Sequence, residues 1–328
     1  ARAGLLAVVA ARPMARARVF QILCCTSGSF RKFNGKARGC VEGAVDRDQS
    51  PLPCGILGSS GGTADGKAAP LRNFSIRKGE WPRKIDHGPR SVPEAVSAGS
   101  VALVGSDLPG LRPRFEVEEG SPVDVGQVLF RDRQHPEIAF ASPVSGHVAR
   151  LAYGPRKSLS ACVIDASDAI SEGRGSVPPD AGEPRPVLLE WGLWPAFRTR
   201  PYGRMPDPDG SPEAIFVNAV WADPNAPDPL AVLEEQREQF QLGVRVLTKL
   251  TEGTVFVCQS PGTPVVPARD RVTLAGFTGT LAAGLSSTHV DRLYPVAEGR
   301  EVWTIGYQDV AAIGHLFQSG IYQASRVV

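Results

Sequence analysis

The sequence has few of the residues that carry redox and metal chemistry. Its 328 residues include five histidines, six cysteines and two methionines. No two cysteines stand in a C-x-x-C spacing, so neither a zinc site nor an iron–sulfur cluster is indicated. The motifs G-x-G-x-x-G, G-x-S-x-G and H-E-x-x-H are also absent. We therefore expect no catalytic, cofactor-binding or metal-binding residue on this chain.

Strong charge and long apolar runs are absent too. The net charge is +2, which does not favour a nucleic-acid binder. Residues 1–72 carry eleven Lys/Arg and four Asp/Glu, and the apolar run LLAVVAA (5–11) is too short to span a bilayer. The basic leader is compatible with a transit peptide or a tail for anionic lipid. We favour a disordered leader, or one that is not part of the natural protein, because Cys24, Cys25, Cys40 and Cys54 occur in it without periodicity.

Short β-type runs follow between residues 116 and 151. EVEEGSPV (116–123), GQVLF (126–130) and IAFASPVSGHVARL (138–151) are separated by Gly, Pro and Asp. Two similar halves of this kind predict a small, strongly bent β sandwich like those that carry biotin or lipoate on a lysine. The hairpin that would present the lysine reads RDRQHPE (131–137), and no lysine occurs from Glu116 to Arg156. We therefore expect a β sandwich that serves as a scaffold and not as a covalent carrier.

The second half alternates between strand and helix patterns. A helix is predicted to start near Pro229 with Asp228 as its N-cap, and its apolar residues continue to Leu247 on one face. Strands alternating with helices indicate an α/β domain with a mostly parallel sheet. The other predicted elements are strands at 213–220, 254–259, 271–277 and 301–307, a helix at 284–293 capped by Ser286 or Ser287, and a helix at 308–318 stopped at Gly320.

Several isolated residues resemble parts of functional sites. GTLAAGLS (279–286) has the glycine spacing of a phosphate loop, but Leu285 stands where the lysine belongs. His289 has no second His or Cys nearby, which favours a structural histidine. Asp309 is interpreted as a carboxylate in the first turn of a helix. Cys162 and Cys258 lie in apolar strands and are expected to be buried.

The chain resembles one known family, the A subunit of the sodium-translocating NADH:quinone reductase. The resemblance runs from about Phe74 to the end of the sequence. It is carried by FSIRKG (74–79), KIDHGP (84–89), VALVGSDLPGLRPRFEVEEGSPVDVGQVLFRD (101–132), FASPVSGHVARL (140–151), GLWPAFRTRPY (192–202), EAIFVNAVWADPNAPDP (213–229), AAGLSSTHVDRLYPV (282–296) and VWTIGYQDVAAIGHLF (302–317).

The resemblance implies both a fold and a function. It implies a barrel-sandwich, biotinyl/lipoyl-like β domain followed by a Rossmann-like α/β domain related to the flavin- and NADH-binding subunit of respiratory complex I. It implies a peripheral, non-catalytic subunit on the cytoplasmic face of the bacterial inner membrane. NADH, flavins, iron–sulfur and ubiquinone would be used on other subunits, which are the expected partners. The family has a further C-terminal domain after the position of SRVV (325–328), so we expect a truncated member.

We predict four segments: the leader 1–72, the β domain 73–168, a linker with an aromatic and arginine-rich stretch at 169–212, and the α/β domain 213–328. Two alternatives stay open, a free-standing oxidoreductase that binds flavin or NADH near 279–289, and an assembly module or non-functional fragment. We predict a quinone or partner contact at six residues, while noting that 190–210 is equally compatible with a linker packed on the sandwich. The six residues are Trp194, Phe197, Arg198, Arg200, Tyr202 and His289.

Overall fold

A computed structural model describes residues 72–79, 97–167, 177, 182–221, 223, 226–267 and 269–327. The predicted leader 1–72, apart from Arg72, and the motif 84–89 lie outside these ranges, as does part of the predicted linker. The described chain forms two packed units, a β sandwich and an α/β unit.

The first unit consists of two antiparallel sheets, as the sequence predicts for a barrel sandwich. One sheet has the order β2-β8-β7-β4 and the other the order β3-β5-β6. Gly146 of β7 lies so close to β8 that a Cβ there would be 2.0 Å from the carbonyl oxygen of Asp165. The strands are β2 (Ser100–Val104), β3 (Pro113–Phe115), β4 (Pro122–Val123), β5 (Val128–Asp132), β6 (Ala139–Ala141), β7 (Gly146–Tyr153) and β8 (Leu159–Ala166).

The second unit has a six-stranded sheet in the order β1-β12-β11-β10-β13-β9. All neighbouring strands are parallel except β13 and β9. The strands are β1 (Arg72–Ile76), β9 (Arg198–Arg200), β10 (Ala214–Ala219), β11 (Thr254–Gln259), β12 (Val272–Gly279) and β13 (Val302–Gly306). The helices are α1 (Pro184–Glu190), α2 (Pro229–Glu235), α3 (Arg237–Leu247), α4 (Ser286–Leu293) and α5 (Tyr307–Ser319).

Helices cover both faces of this sheet. On one face α3 and α5 pack together, with Phe240 and Val244 against Ile313 and Leu316 in the main core. These two helices approach so closely that a Cβ on Gly314 would lie 1.7 Å from the carbonyl oxygen of Gln239. On the other face α4 covers a smaller core that includes Phe216, Cys258, Phe277 and Val302. Alternate residues of each strand thus enter different cores, which is why the strands read as continuous apolar runs.

The two units share the main core. Phe130 and Phe140 of the sandwich lie in the same apolar cluster as Trp194 and Trp303 of the second unit. Gly192 allows the contact, because its φ is +71° and a Cβ would lie 2.8 Å from the backbone nitrogen of Ala141. The segment after α1 is therefore pressed against β6, and the interface is an extension of the core.

Most predicted elements are confirmed, including the N-cap at Asp228, whose Oδ1 accepts a 3.0 Å hydrogen bond from the Leu230 amide. The helix at 307–319 ends at Gly320, which adopts a left-handed φ of 76°. Cys162 and Cys258 are buried, and burial raises the pKa of the Cys162 thiol to about 12.

Three expectations differ from the structure. The predicted single helix over 229–247 breaks at Gln236, whose φ and ψ of −113° and 22° are not helical. Neither Ser286 nor Ser287 caps α4, because the N-cap position is Leu285 and Ser286 already lies inside the helix. Strand β1 pairs with β12 and not with the sandwich, and β9 of the predicted linker joins the same sheet.

Candidate functional site

A cleft of about 730 Å³ opens between the two units. One wall comes from the sandwich, from the loop after β2 and the hairpin after β5. The opposite wall is the turn after β9. The lining residues are Asp107, Leu108, Pro109, Gly110, Leu111, Asp132, Gln134, His135, Ile138, Arg198, Tyr202, Gly203, Arg204, Met205, Pro206 and Asp207. The lining of the cleft thus combines carboxylates, guanidinium groups and apolar side chains.

The sandwich wall is the hairpin that would bear the lysine in a carrier domain. Here its base is fixed by Arg131, whose Nε lies 2.9 Å from Glu116 and whose terminal nitrogen lies 2.7 Å from Glu190 of α1. Burial alone would lower the pKa of Arg131, but the hydrogen bonds and charges of these two carboxylates raise it. Asp132 is buried and accepts a 3.1 Å hydrogen bond from the Gln134 amide. The hairpin is therefore linked to α1 of the second unit.

The opposite wall carries two of the predicted contact residues. Tyr202 is 79% exposed, and the guanidinium carbon of Arg204 lies 5.7 Å from its ring centroid. Arg198 is half-buried and donates to the carbonyl oxygens of Pro195 and Phe197, the second at 2.8 Å. A short backbone turn supports this wall, since the Thr199 amide donates to the Arg204 carbonyl at 2.7 Å. Arg198 and Tyr202 thus both line this cleft.

Trp194 and Phe197 are placed differently. Both side chains are fully buried and form a three-ring cluster with Trp303, in which the centroid separations are 5.3 to 5.6 Å. Trp194 also donates its indole N–H to the Pro206 carbonyl at 3.0 Å. These two rings hold the segment 194–206 against the core. In this structure they offer no surface for a quinone or a partner.

The carboxyl ends of the parallel strands are the other place where α/β proteins bind ligands. The chain runs from β10 to β11 and β12 in one direction and then returns to place β13 on the other side of β10. Such a switch point between β10 and β13 normally opens a crevice. Here Asn218 at the end of β10 donates to the Gly284 carbonyl at 2.8 Å. The turn before α4 is thereby held over the crevice.

Side chains at the neighbouring strand ends also form hydrogen bonds with the loops around them. Gln259 at the end of β11 is fully buried and accepts from the Val265 amide at 3.0 Å while donating to the Thr263 carbonyl at 3.1 Å. Thr280, just after β12, donates its hydroxyl to the Lys78 carbonyl at 2.9 Å. The polar groups at these ends hold the following loops, so they are already occupied within the chain.

The start of α5, which follows β13 directly, is covered by the segment 320–327. Arg326 donates to the buried carboxylate of Asp309 at 2.9 Å. Gln308 forms two hydrogen bonds with Val327, donating to its carbonyl at 2.8 Å and accepting from its amide at 2.9 Å. Asp309 does lie in the first turn of a helix, as predicted. Its partner Arg326 was not predicted.

His289 lies on α4 beneath this edge of the sheet and is fully buried. Its Nε2 lies 2.7 Å from the carbonyl oxygen of Ala283, and its ring centroid lies 4.4 Å from that of Phe277. Burial lowers the pKa of His289 to about 4, so the ring is neutral at pH 7 and Nε2 donates. A neutral histidine packed on a phenylalanine is the structural histidine that the sequence favours. It is not brought near the cleft residues.

Sequence reasoning missed several residues that shape these places. Asn218 and Gln259 are polar residues near or at the ends of apolar strands, and that position is a usable signal. Asp132 and His135 lie in the carrier-type hairpin, whose sequence carries no clear signal beyond the missing lysine. Within the described ranges no three His, Cys, Asp or Glu side chains come together as metal ligands. None of the described helices is long and apolar enough to cross a membrane.

Comparison with known proteins identifies both units. A family model for the NqrA N-terminal barrel-sandwich hybrid domain matches residues 85–167, and one for the NqrA second alpha/beta domain matches residues 181–322. Together these ranges cover more than half of the chain.

Similar proteins are named as the A subunit of the Na(+)-translocating NADH-quinone reductase. The protein of Neisseria meningitidis serogroup C is 42% identical over 238 residues, which are 70% of this chain and 53% of the relative. The protein of Saccharophagus degradans is 41% identical over 252 residues, 74% of this chain and 56% of the relative. The protein of Pseudomonas aeruginosa PAO1 is 40% identical over 236 residues, which are 70% of this chain and 53% of the relative. The chain spans about half the length of these relatives, and it belongs to the family of the A subunit of the Na(+)-translocating NADH-quinone reductase.

Proposed function

We propose that this chain acts as a peripheral, non-catalytic subunit of a sodium-pumping NADH:quinone oxidoreductase. The observation that carries the proposal is membership of the A-subunit family across both units. The relatives with this name are about twice as long as the part that this chain matches. The chain would therefore contribute the sandwich and the α/β unit, and these two units would form a rigid surface on which other subunits dock.

The geometry supports a structural role over a catalytic one. The hairpin that moves a cofactor in carrier domains is anchored through Arg131 to Glu116 and Glu190. The strand ends that bind nucleotides in α/β proteins are covered through Asn218 and Gln259. Both places are occupied by contacts within the chain, which favours redox chemistry on other subunits.

The remaining roles follow from the resemblance. NADH, flavins, iron–sulfur and ubiquinone would be bound by the other subunits, which are the proposed partners. The complex would lie at the bacterial inner membrane, and this chain would lie on its cytoplasmic face. The switch point between β10 and β13 supports a Rossmann-like origin and a relation to the flavin- and NADH-binding subunit of complex I.

The proposed contact with a partner or a quinone is the cleft between the units. Tyr202 and Arg204 form an exposed aromatic and cationic pair at its edge. Tyrosine and arginine are enriched in protein interfaces because they combine large contact area with directed hydrogen bonds. Arg198 on the same wall is held by backbone carbonyls and adds positive charge to the cleft.

The test is recovery of the complex with an affinity-tagged chain. The tagged chain is expressed in its own source, membranes are solubilised in detergent, and the eluate is assayed for flavin and NADH:quinone activity. We expect a flavin-bearing, multi-subunit complex, with less recovered when Tyr202→Ala and Arg204→Ala are combined. Arg150→Ala, on an exposed strand position of β7, is the matched control.

Two results would overturn the proposal. A chain recovered alone, colourless and inactive, would contradict the role within a complex. A chain recovered alone that binds flavin or NADH in calorimetry would instead favour the free-standing oxidoreductase.

A further inference from the structure

Arg200 lies on strand β9 and faces the smaller core of the α/β unit. It stands directly opposite Val302 in the antiparallel pairing of β9 with β13. Directly opposed residues in a sheet project to the same face, and Val302 belongs to the core beneath α4. The Arg200 side chain thus lies on the same face of the sheet as that core.

The Nε of Arg200 is buried and has no hydrogen-bond partner. In the described part of the chain, one other buried side-chain nitrogen or oxygen also has no hydrogen-bond partner, and it is the Nδ1 of His289. The two cases differ in chemistry, since His289 is neutral and its Nδ1 is only an acceptor. Arg200 is a cation with a buried donor, and buried donors and charges are costly without a partner. Burial, with a smaller contribution from Arg198, lowers the pKa of Arg200.

Nearby carboxylates are directed elsewhere. Glu301 precedes Val302 on the chain, and its Oε1 accepts a 2.8 Å hydrogen bond from the Trp303 indole, on the opposite face of the sheet. Glu213 accepts from the Tyr294 hydroxyl at 2.6 Å and lies 3.7 Å from Arg300. The charged neighbour on the same face of β9 is Arg198, two residues earlier on the strand. Its charge has the same sign, so it does not compensate the cation of Arg200.

A guanidinium with a free Nε has a specific recognition geometry. Nε–H and one terminal N–H are parallel donors that match two oxygens of a carboxylate or a phosphate. We propose that Arg200 is an anion-binding position that receives such an oxyanion through Nε and a terminal nitrogen, with Arg198 adding favourable charge.

Two sources share this chemistry. One is a phosphate group, free or on a larger molecule. The other is a carboxylate side chain of a partner protein, and this source rests on the proposed function within a complex. The turn that follows Arg200 lies at the surface, because Pro201 to Arg204 are all exposed.

The test follows the Nε–Hε proton of Arg200 directly by nuclear magnetic resonance of the ¹⁵N-labelled full chain. Arg200→Lys identifies the signal by its loss, and the wild-type chain is titrated with phosphate or acetate against chloride at constant ionic strength. We expect a saturable shift with at least one of the two oxyanions and none with chloride. Thermal denaturation gives a second measurement, in which Arg200→Lys should weaken phosphate or acetate binding about tenfold.

The outcomes separate the two sources and the two proposals. Phosphate alone shifting the signal identifies a phosphate ligand. Acetate shifting it, together with poorer recovery of partner subunits by Arg200→Lys, identifies a partner carboxylate. Arg150→Lys is the control and should bind either anion like the wild type. An Arg200 signal unmoved by both anions would overturn the anion site, whatever the tagged chain recovers from membranes.

Discussion

In the sandwich, the hairpin at 131–137 is held by ion pairs near the surface, whereas in the α/β unit the strand ends are covered by buried or half-buried hydrogen bonds. The side chains of Arg131, Glu116 and Glu190 keep 21%, 39% and 40% of their exposure. Asp309 and Gln259 are almost completely buried. The first arrangement uses charges that water still solvates, and the second uses groups that have lost their water.

This difference predicts how stably the hairpin and the loops over the strand ends are held in position. Exposed ion pairs contribute little, because solvent screens them and the free side chains are well hydrated. A buried polar group that loses its partner is costly, because no water replaces it. The strand ends should therefore be a permanent part of the fold, while the hairpin should be released by a single substitution.

The largest effect is expected from Arg326→Met. It leaves the carboxylate of Asp309 buried without this cation, which should cost about 3 kcal/mol of unfolding free energy. Urea unfolding at pH 7 measures the loss. Adding Asp309→Asn should restore part of the stability, since the buried charge is then gone. Arg292→Met, which removes an exposed pair 3.8 Å long, is the control and should change little; an equal loss in both variants would argue against the buried pair.

Acid should weaken the α/β unit through His289. Because burial lowers its folded pKa to about 4 from an ordinary value near 6.5, the unfolded chain binds the proton more readily. The contribution of neutral His289 to the free energy of unfolding is therefore complete above about pH 6.5. As the pH falls toward 4, the free energy of unfolding should decrease by about 3 kcal/mol.

The pH effect is measured as the difference between the wild type and His289→Gln in urea unfolding across this range. The substitution should remove most of the slope between pH 6.5 and 4. Half-buried His315, whose pKa burial also lowers, contributes equally to both proteins and cancels. Parallel pH profiles for the two proteins would show that His289 does not titrate as its burial requires.

Asn218→Leu should have an intermediate effect. It removes the donor to the Gly284 carbonyl and the acceptor of the Val220 amide, which lie at 2.8 and 3.2 Å. We expect a loss of about 2 kcal/mol and faster hydrogen exchange in residues 281–288. Gln127→Leu in the sandwich is the matched amide control, since its 3.0 Å hydrogen bond from Asp124 is exposed. Unchanged exchange at 281–288 would mean that other contacts hold this turn.

The strands and the ends of α2 and α5 could be predicted because their signals are local. Apolar runs mark the strands, Asp228 and Pro229 mark the start of α2, and Gly320 marks the end of α5. Gln236 could not be predicted as a break, since the helical period continues across it from Leu233 to Phe240.

The other features that the sequence did not predict depend on contacts between residues far apart in the chain. Strand β1 is remote in sequence from β12, and nothing in RNFSI indicates its partner. The contact predicted for the aromatic stretch stays a prediction at Arg198 and Tyr202, which line the cleft. Trp194 and Phe197 instead pack against Trp303 in the core, and nothing local in the sequence indicates that pairing. The burial of the unpartnered Nε of Arg200 could not be predicted either, because β9 lies far from its partner strand β13 in the sequence.

The smallest change in stability is expected from Arg131→Gln, although it alters the cleft most directly. Removing both ion pairs should cost less than about 1 kcal/mol, because both carboxylates are more than a third exposed. Hydrogen exchange in residues 133–137 should nevertheless accelerate, because the hairpin loses its link to α1. Arg150→Gln provides the control on an exposed strand of the same unit. If exchange in the hairpin stays slow while global stability also holds, the buried Asp132 and the hydrogen bond from the Arg133 amide to Arg112 suffice to fix it. The sandwich would then be as permanently closed as the strand ends, and the contrast between the two units would not hold.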